Sequence, residues 1–161
     1  MPAKSEALAK QFEAKVQGAL ATLEKLSDAD WKKVTEAERW SVGVTAHHYA
    51  SALEPISHMV QALAAGQSPA RFTPAGRDEM NAQHAKDYAD CTRAETIALL
   101  TRAASQAAAV VRGLSDDQLA KSGTVLVGVP PMTAEQLVDA ALLRHIDEHF
   151  GSIRKTVGAA S

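Results

Sequence analysis

"LLRHIDEHFGSIR" (142–154) decides how the rest of the chain is read. At ~100° per residue on a helix, His145 and His149 lie ~40° apart, so their imidazoles point the same way. Val138, Leu142, Ile146 and Ile153 fall within roughly 60° of that direction, so the histidines share the apolar stripe a helix turns toward its core. One buried histidine is commonly a satisfied core residue. Two on one stripe each need partners away from water, and a shared divalent cation would take one nitrogen of each ring. With Glu148 between them the pair also spells H-x-x-E-H, a zinc-protease pattern that expects a further carboxylate ligand well downstream. Only twelve residues follow His149 and none is acidic, so that reading fails.

Working outward, Thr133 with Gln136 three residues on is a capping box just after Pro130-Pro131, so the histidine helix runs from there to about Val157. Leu8, Phe12, Val16, Ala19 and Leu23 mark a first amphipathic helix over 4–26. Ser27-Asp28-Ala29-Asp30 opens one short turn carrying Trp31. Ser41 caps a second long helix to about Ala65, and Pro55 inside it removes a hydrogen bond and predicts a kink. "GQSPARFTPAG" (66–76) is a loop. A third helix is expected over about 78–113, with a break near Cys91-Thr92. Ser115 to Gln118 spells another capping box. In the loop after it, TVLV (124–127) has strand character but no evident partner.

Four long amphipathic helices predict an all-α fold, an antiparallel four-helix bundle with helix two kinked near Pro55, formed by a single domain over 1–161. Composition agrees: 46 % hydrophobic residues with only 4 % aromatic favours closely packed, alanine-rich helices over a β-sandwich. "LSDADW" before helix two and "LSDDQL" before helix four hint at a duplicated helix pair. The net charge of −2 and the lack of a basic stripe give nucleic acid no electrostatic footprint. No apolar run reaches the ~18 residues of a membrane span, and the charged N-terminus argues against a secreted fate. The single Cys91 suits a reducing compartment and reads as a small core hydrophobe, so a cytoplasmic location is expected.

Helix two supplies a third candidate ligand. His47 and His48 diverge by ~100°, and His48 lies at the edge of the arc defined by Val42, Thr45, Tyr49, Ala52, Ile56 and Leu63. His47 falls nearly opposite that arc and is expected to face solvent, as is His58. Asn81 and His84 open helix three; Asn81 shares the direction of Tyr88 and Leu99 and could reach the interior, a polar residue near a helix start being the blander reading, and either could close the site as a fourth ligand. Di-iron chemistry needs Glu-x-x-His, yet the residues three before the six histidines are Val44, Thr45, Pro55, Asn81, Leu142 and Ile146.

"WSVGVTAHHYA" (40–50), "MNAQHA" (80–85) and "LRHIDEHFGSIRK" (143–155) resemble the DinB-like (DinB/YfiT) superfamily of metal-dependent enzymes over about residues 8–155. That family carries one histidine on helix two, usually eight residues after the tryptophan, and an H-x-x-x-H pair on helix four. Carried over, these fall on His48, His145 and His149. The resemblance implies a bundle, often a homodimer, holding a divalent metal ion, Zn²⁺ or Ni²⁺ foremost, with Fe and Mn as alternatives. It also implies a small-molecule substrate, with a low-molecular-weight thiol as one candidate. A three-histidine site with an open position would activate water or a thiol, as in a hydrolase, a thiol-dependent S-transferase or an isomerase. Glu148 lies ~80° from the histidine direction and is expected at the surface or behind the ligands. The alternative is a non-catalytic, metal-stabilised helical binding module, with Trp31 and Trp40 covering an exposed groove.

Overall fold

The structure is a computed structural model and describes residues 3–158. Its helices are α1 (Ala3–Glu24), α2 (Asp28–Lys32), α3 (Val42–Ala64), α4 (Pro74–Asp87), α5 (Arg93–Arg112), α6 (Asp116–Leu119), α7 (Ala134–Leu137) and α8 (His145–Val157). A π-helical stretch, Val138–Arg144, joins α7 to α8, so the two make one long helix with a wider register in its middle. With α1, α3 and α5 it forms a four-helix bundle. No helix among the described residues is long and apolar enough to cross a membrane.

The helix starts are chemically explicit. Ser27, Thr92, Ser115 and Thr133 each close a capping box with the residue three on, and Ser41 accepts from the Val44 amide. α1 buries Ala9, Phe12, Val16, Ala19 and Leu23, the stripe its sequence periodicity predicts. On α5, Ala103, Ala104, Ala107 and Ala108 are buried, and their small side chains let its backbone pack closely against both α1 and α3. α3 runs unbroken through Pro55.

Cross-helix contacts give the directions. Arg112, ending α5, reaches Glu6 and Glu13 of α1, so these two helices are antiparallel. Tyr49 reaches Leu142, while Glu38, just before α3, reaches Ser152, so α3 and α8 are antiparallel too. The two pairs then lie side by side with α1 running alongside α8, as Lys15–Asp147 and Arg154–Thr22 show. α3 and α5 also start at one end, where Trp31 packs on Gly43 and donates from Nε1 to the Cys91 carbonyl at 2.9 Å.

The expected third helix is two. It breaks over 88–92, as the Cys91-Thr92 spelling suggested, and its first part, α4, carries the chain back to the end where α3 begins. The TVLV segment is not a strand. The one strand pair among the described residues joins Ser122–Gly123 to Met132–Thr133, the two ends of that loop. Cys91 is only partly buried.

Gly43 is required by the Trp31 packing. A Cβ at this position would lie 2.5 Å from Trp31 Nε1 and closer still to its Cε2, far inside van der Waals contact. Gly43→Ala is therefore expected to destabilise the fold by ~1–3 kcal/mol, the usual cost of overpacking, read as a lower midpoint in denaturant unfolding.

Candidate metal centre

The bundle brings three of the six histidines to one point. His48 projects from the second turn of α3, and His145 and His149 from the first two turns of α8. Ring centroids are 5.5 Å apart for His48 and His145, 5.0 Å for His48 and His149, and 4.5 Å for the α8 pair. One nitrogen from each ring lies within 4.8 Å of the others. His48 is buried, and the α8 pair is half-buried. Trp40 closes one side, its ring centroid 5.1 Å from that of His48.

The hydrogen bonds assign the protons. His149 Nδ1 lies 2.7 Å from the Glu38 carboxylate. Burial pushes the Glu38 pKa up, but hydrogen bonds from His149, Ser152 and Thr35 outweigh it and hold the pKa at about 2. The carboxylate can only accept, so His149 carries its hydrogen on Nδ1. His145 Nδ1 lies 3.2 Å from the Ala141 carbonyl, which also only accepts. With Nδ1 so engaged in both rings, the two Nε2 atoms are left to the site, and they face each other at 2.8 Å.

Two ring nitrogens at that distance hold a cation between them, a proton or a metal ion. Burial, reinforced by the neighbouring His149, disfavours a proton on His145 and lowers its pKa to about 4. Burial, with His149, His145 and His84 adding to it, lowers that of His48 to about 3. Three imidazoles with converging ring nitrogens are the donor set of a borderline-soft divalent cation, and they fit one.

The π-helical stretch prepares this arrangement. The His145 amide bonds to the Ala140 carbonyl, five residues back. Returning from that wider register to the α-helical one passes over a carbonyl, and the Ala141 carbonyl takes the His145 ring. Tyr49, fully buried, donates its hydroxyl to the Leu142 carbonyl at 2.8 Å and sets its ring against the His145 imidazole.

Glu38 is the site residue that sequence reasoning missed. Glu148, the acidic residue nearest to the α8 pair in sequence, is exposed and lines an outer cavity of about 660 Å³. Only its place two residues before Trp40 could have flagged Glu38, because its approach to His149 depends on a loop conformation. The segment from Val34 to Ser41 doubles back on itself, and Arg39 takes a left-handed conformation with φ of 61°.

His47 is a correction. It was expected to face solvent, yet it is as buried as His48. The core side of α3 follows its helical periodicity, but α4 covers the opposite side. His47 Nδ1 lies 2.8 Å from His84 Nε2, and both rings stack on Tyr88. His84 thus pairs with His47 and stays outside the three-histidine cluster, and Asn81 is half-buried on α4. His58 is exposed, as expected.

Comparison with known proteins follows the same lines. No functionally curated protein matches the chain. Among solved structures, YfiT from Bacillus subtilis, described as a probable metal-dependent hydrolase with an unusual four-helix bundle topology, aligns with a TM-score of 0.73. The identity is 19 %, over 99 % of this chain and 89 % of that one. The mycothiol-dependent maleylpyruvate isomerase aligns with a TM-score of 0.72 at 13 % identity, over 92 % of this chain and 60 % of the other. A mutant of such an isomerase gives 0.68 at 16 % identity, over 98 % and 62 %. The chain therefore spans less than two thirds of the isomerase and shares its fold over that part. A family model describing the DinB superfamily matches residues 11–153, nearly the whole length, and the chain belongs to the DinB superfamily.

Proposed function

We propose that the protein is a divalent-metal-dependent enzyme in which His48, His145 and His149 are the metal ligands. The observation that carries this reading is the convergence of the His48, His145 and His149 rings, with the Nδ1 atoms of the α8 pair bound elsewhere and their Nε2 atoms turned to each other at 2.8 Å. A divalent cation supplies Lewis acidity at such a site, lowering the pKa of a bound water or thiol toward neutrality. Three protein ligands leave part of the coordination shell for that group and for a substrate, as catalytic sites do and closed structural sites do not.

The chain's own residues do the remaining work. Glu38 and the Ala141 carbonyl orient the two α8 imidazoles, Tyr49 braces His145, and Trp40 shields His48 from water. The substrate in this reading is a small electrophilic molecule, attacked by water or by a low-molecular-weight thiol. The names of the structural relatives represent both kinds of nucleophile, a hydrolase and a mycothiol-dependent isomerase. A homodimer and a cytoplasmic setting complete the proposal.

Elemental analysis of the purified protein, with titration of Zn²⁺ and Ni²⁺ into chelator-treated protein, tests the centre. One ion per chain is expected. The loaded protein is then assayed for ester and amide hydrolysis and for thiol transfer to electrophilic acceptors. Failure to take up any metal would move the assignment to a non-catalytic binding module.

A further inference from the structure

Three neutral imidazoles bring no negative charge to a cation, and Glu38 provides it from outside the ligand set. Its side chain is 10 % exposed. Each carboxylate oxygen has its own partner, the His149 Nδ1–H at 2.7 Å and the Ser152 hydroxyl at 2.6 Å. Because Ser152 lies on α8 as His149 does, the carboxylate clamps two points of one helix, three residues apart.

Glu38 reaches this position through a strap built for it. Val34 bridges Ser41, the Thr35 amide donates to the Trp40 carbonyl at 2.8 Å, and the Val42 amide donates to the Lys33 carbonyl at 2.7 Å. The Arg39 amide donates to the Thr35 carbonyl at 3.0 Å, closing the turn in which Arg39 adopts positive φ. A bulky residue in that conformation is strained, and such strain persists only where surrounding contacts over-determine it. Here those contacts are the Glu38 clamp on one side and the Trp40 ring against His48 on the other.

We propose that Glu38 is a positioning residue of the metal centre, delivered by the strap 34–41, which sets the tautomer of His149 and raises the affinity of the site for a divalent cation. The inference rests on the metal-centre reading above. Carboxylate–histidine–metal relays of this kind fix ring orientation and increase ligand basicity, and their loss commonly weakens metal binding ~10–100-fold.

The test compares wild type with Glu38→Ala, Glu38→Gln and Ser152→Ala. Zn²⁺ affinity is read by competition with a chromophoric chelator, and the His149 tautomer by ¹⁵N NMR of the metal-free protein. Glu38→Ala should weaken Zn²⁺ binding ~10–100-fold and release His149 from the Nδ1–H form. Glu38→Gln keeps an acceptor oxygen without the charge, so it should preserve the tautomer and bind between the two. Ser152→Ala should give a smaller loss in the same direction. Wild-type affinity together with an unchanged tautomer in Glu38→Ala would overturn the inference. If Glu38→Ala does not fold, the glutamine and Ser152 variants decide, and wild-type affinity in both overturns it. A wild-type protein that takes up no metal refutes the metal centre itself, and the tautomer readout still decides what Glu38 does to His149.

Discussion

His145→Ala is expected to abolish stoichiometric metal binding. The ring supplies one of the two imidazole nitrogens that α8 brings to the site, and its Nε2 is turned toward His149 by the Ala141 carbonyl on Nδ1. Losing a ligand should cost more than losing the residue behind it, so the decrease in affinity should exceed the ~100-fold upper range for outer partners. His48→Ala should behave alike, because the α8 pair alone offers two nitrogens. His58→Ala, at an exposed position, and His47→Ala, outside the cluster, should keep one ion per chain. Metal content by elemental analysis is the primary readout. The thermal shift on adding Zn²⁺ is a second, since a ligand at 100 times its Kd stabilises the folded state by about 2.7 kcal/mol. That shift should vanish in His145→Ala and persist in His47→Ala. Unchanged metal content in His145→Ala would remove the three-histidine assignment.

Metal-free protein should lose stability steeply on acidification, beginning near pH 6.5. The pKa values of His48 and His145 fall from 6.5 to about 3 and about 4 on folding, chiefly through burial. Below pH 6.5 the unfolded chain binds protons that the folded chain refuses, so unfolding is favoured as pH falls. The stability these groups contribute is whole above pH 6.5 and is lost progressively down to about pH 3–4. Burial lowers His47 and His84 as well, with the same sign. Glu38 adds in the same direction but lower, between its ordinary 4.5 and about 2. Each unit of depression corresponds to ~1.4 kcal/mol, so a loss of several kcal/mol by pH 4 is expected. Urea midpoints measured from pH 8 to 4 provide the check. Bound Zn²⁺ should extend the plateau to lower pH, because protons must then displace it. A flat profile over this range would mean that the imidazoles are not held neutral by the fold.

The parts of this protein that were legible in its sequence are those governed by short-range rules. Helix starts followed from Ser and Thr caps whose partners stand three residues on, as at Thr92, Ser115 and Thr133. The α1 stripe followed from 3.6-residue periodicity, and the common facing of His145 and His149 from their spacing of four. Other features needed two segments to meet. The burial of His47 arises from α4 lying over α3, and no helical wheel of α3 alone contains that. The wider register at Val138–Arg144 has no residue signature of its own; the Tyr49 hydroxyl on the Leu142 carbonyl belongs to another helix.

The sequence by itself determined that there would be helices, where their apolar faces lie, and that two histidines share one of those faces, because each depends on angles within a single helix. Only the tertiary structure decided that His48 arrives opposite them and that the strap 34–41 brings a carboxylate to His149. It alone also occupies both Nδ1 atoms of the α8 pair and turns their Nε2 atoms to each other. The physical reason is that proton positions and charge balance at a site are set by contacts across the bundle. Glu38 and His149 stand more than a hundred residues apart in the chain and 2.7 Å apart in the fold.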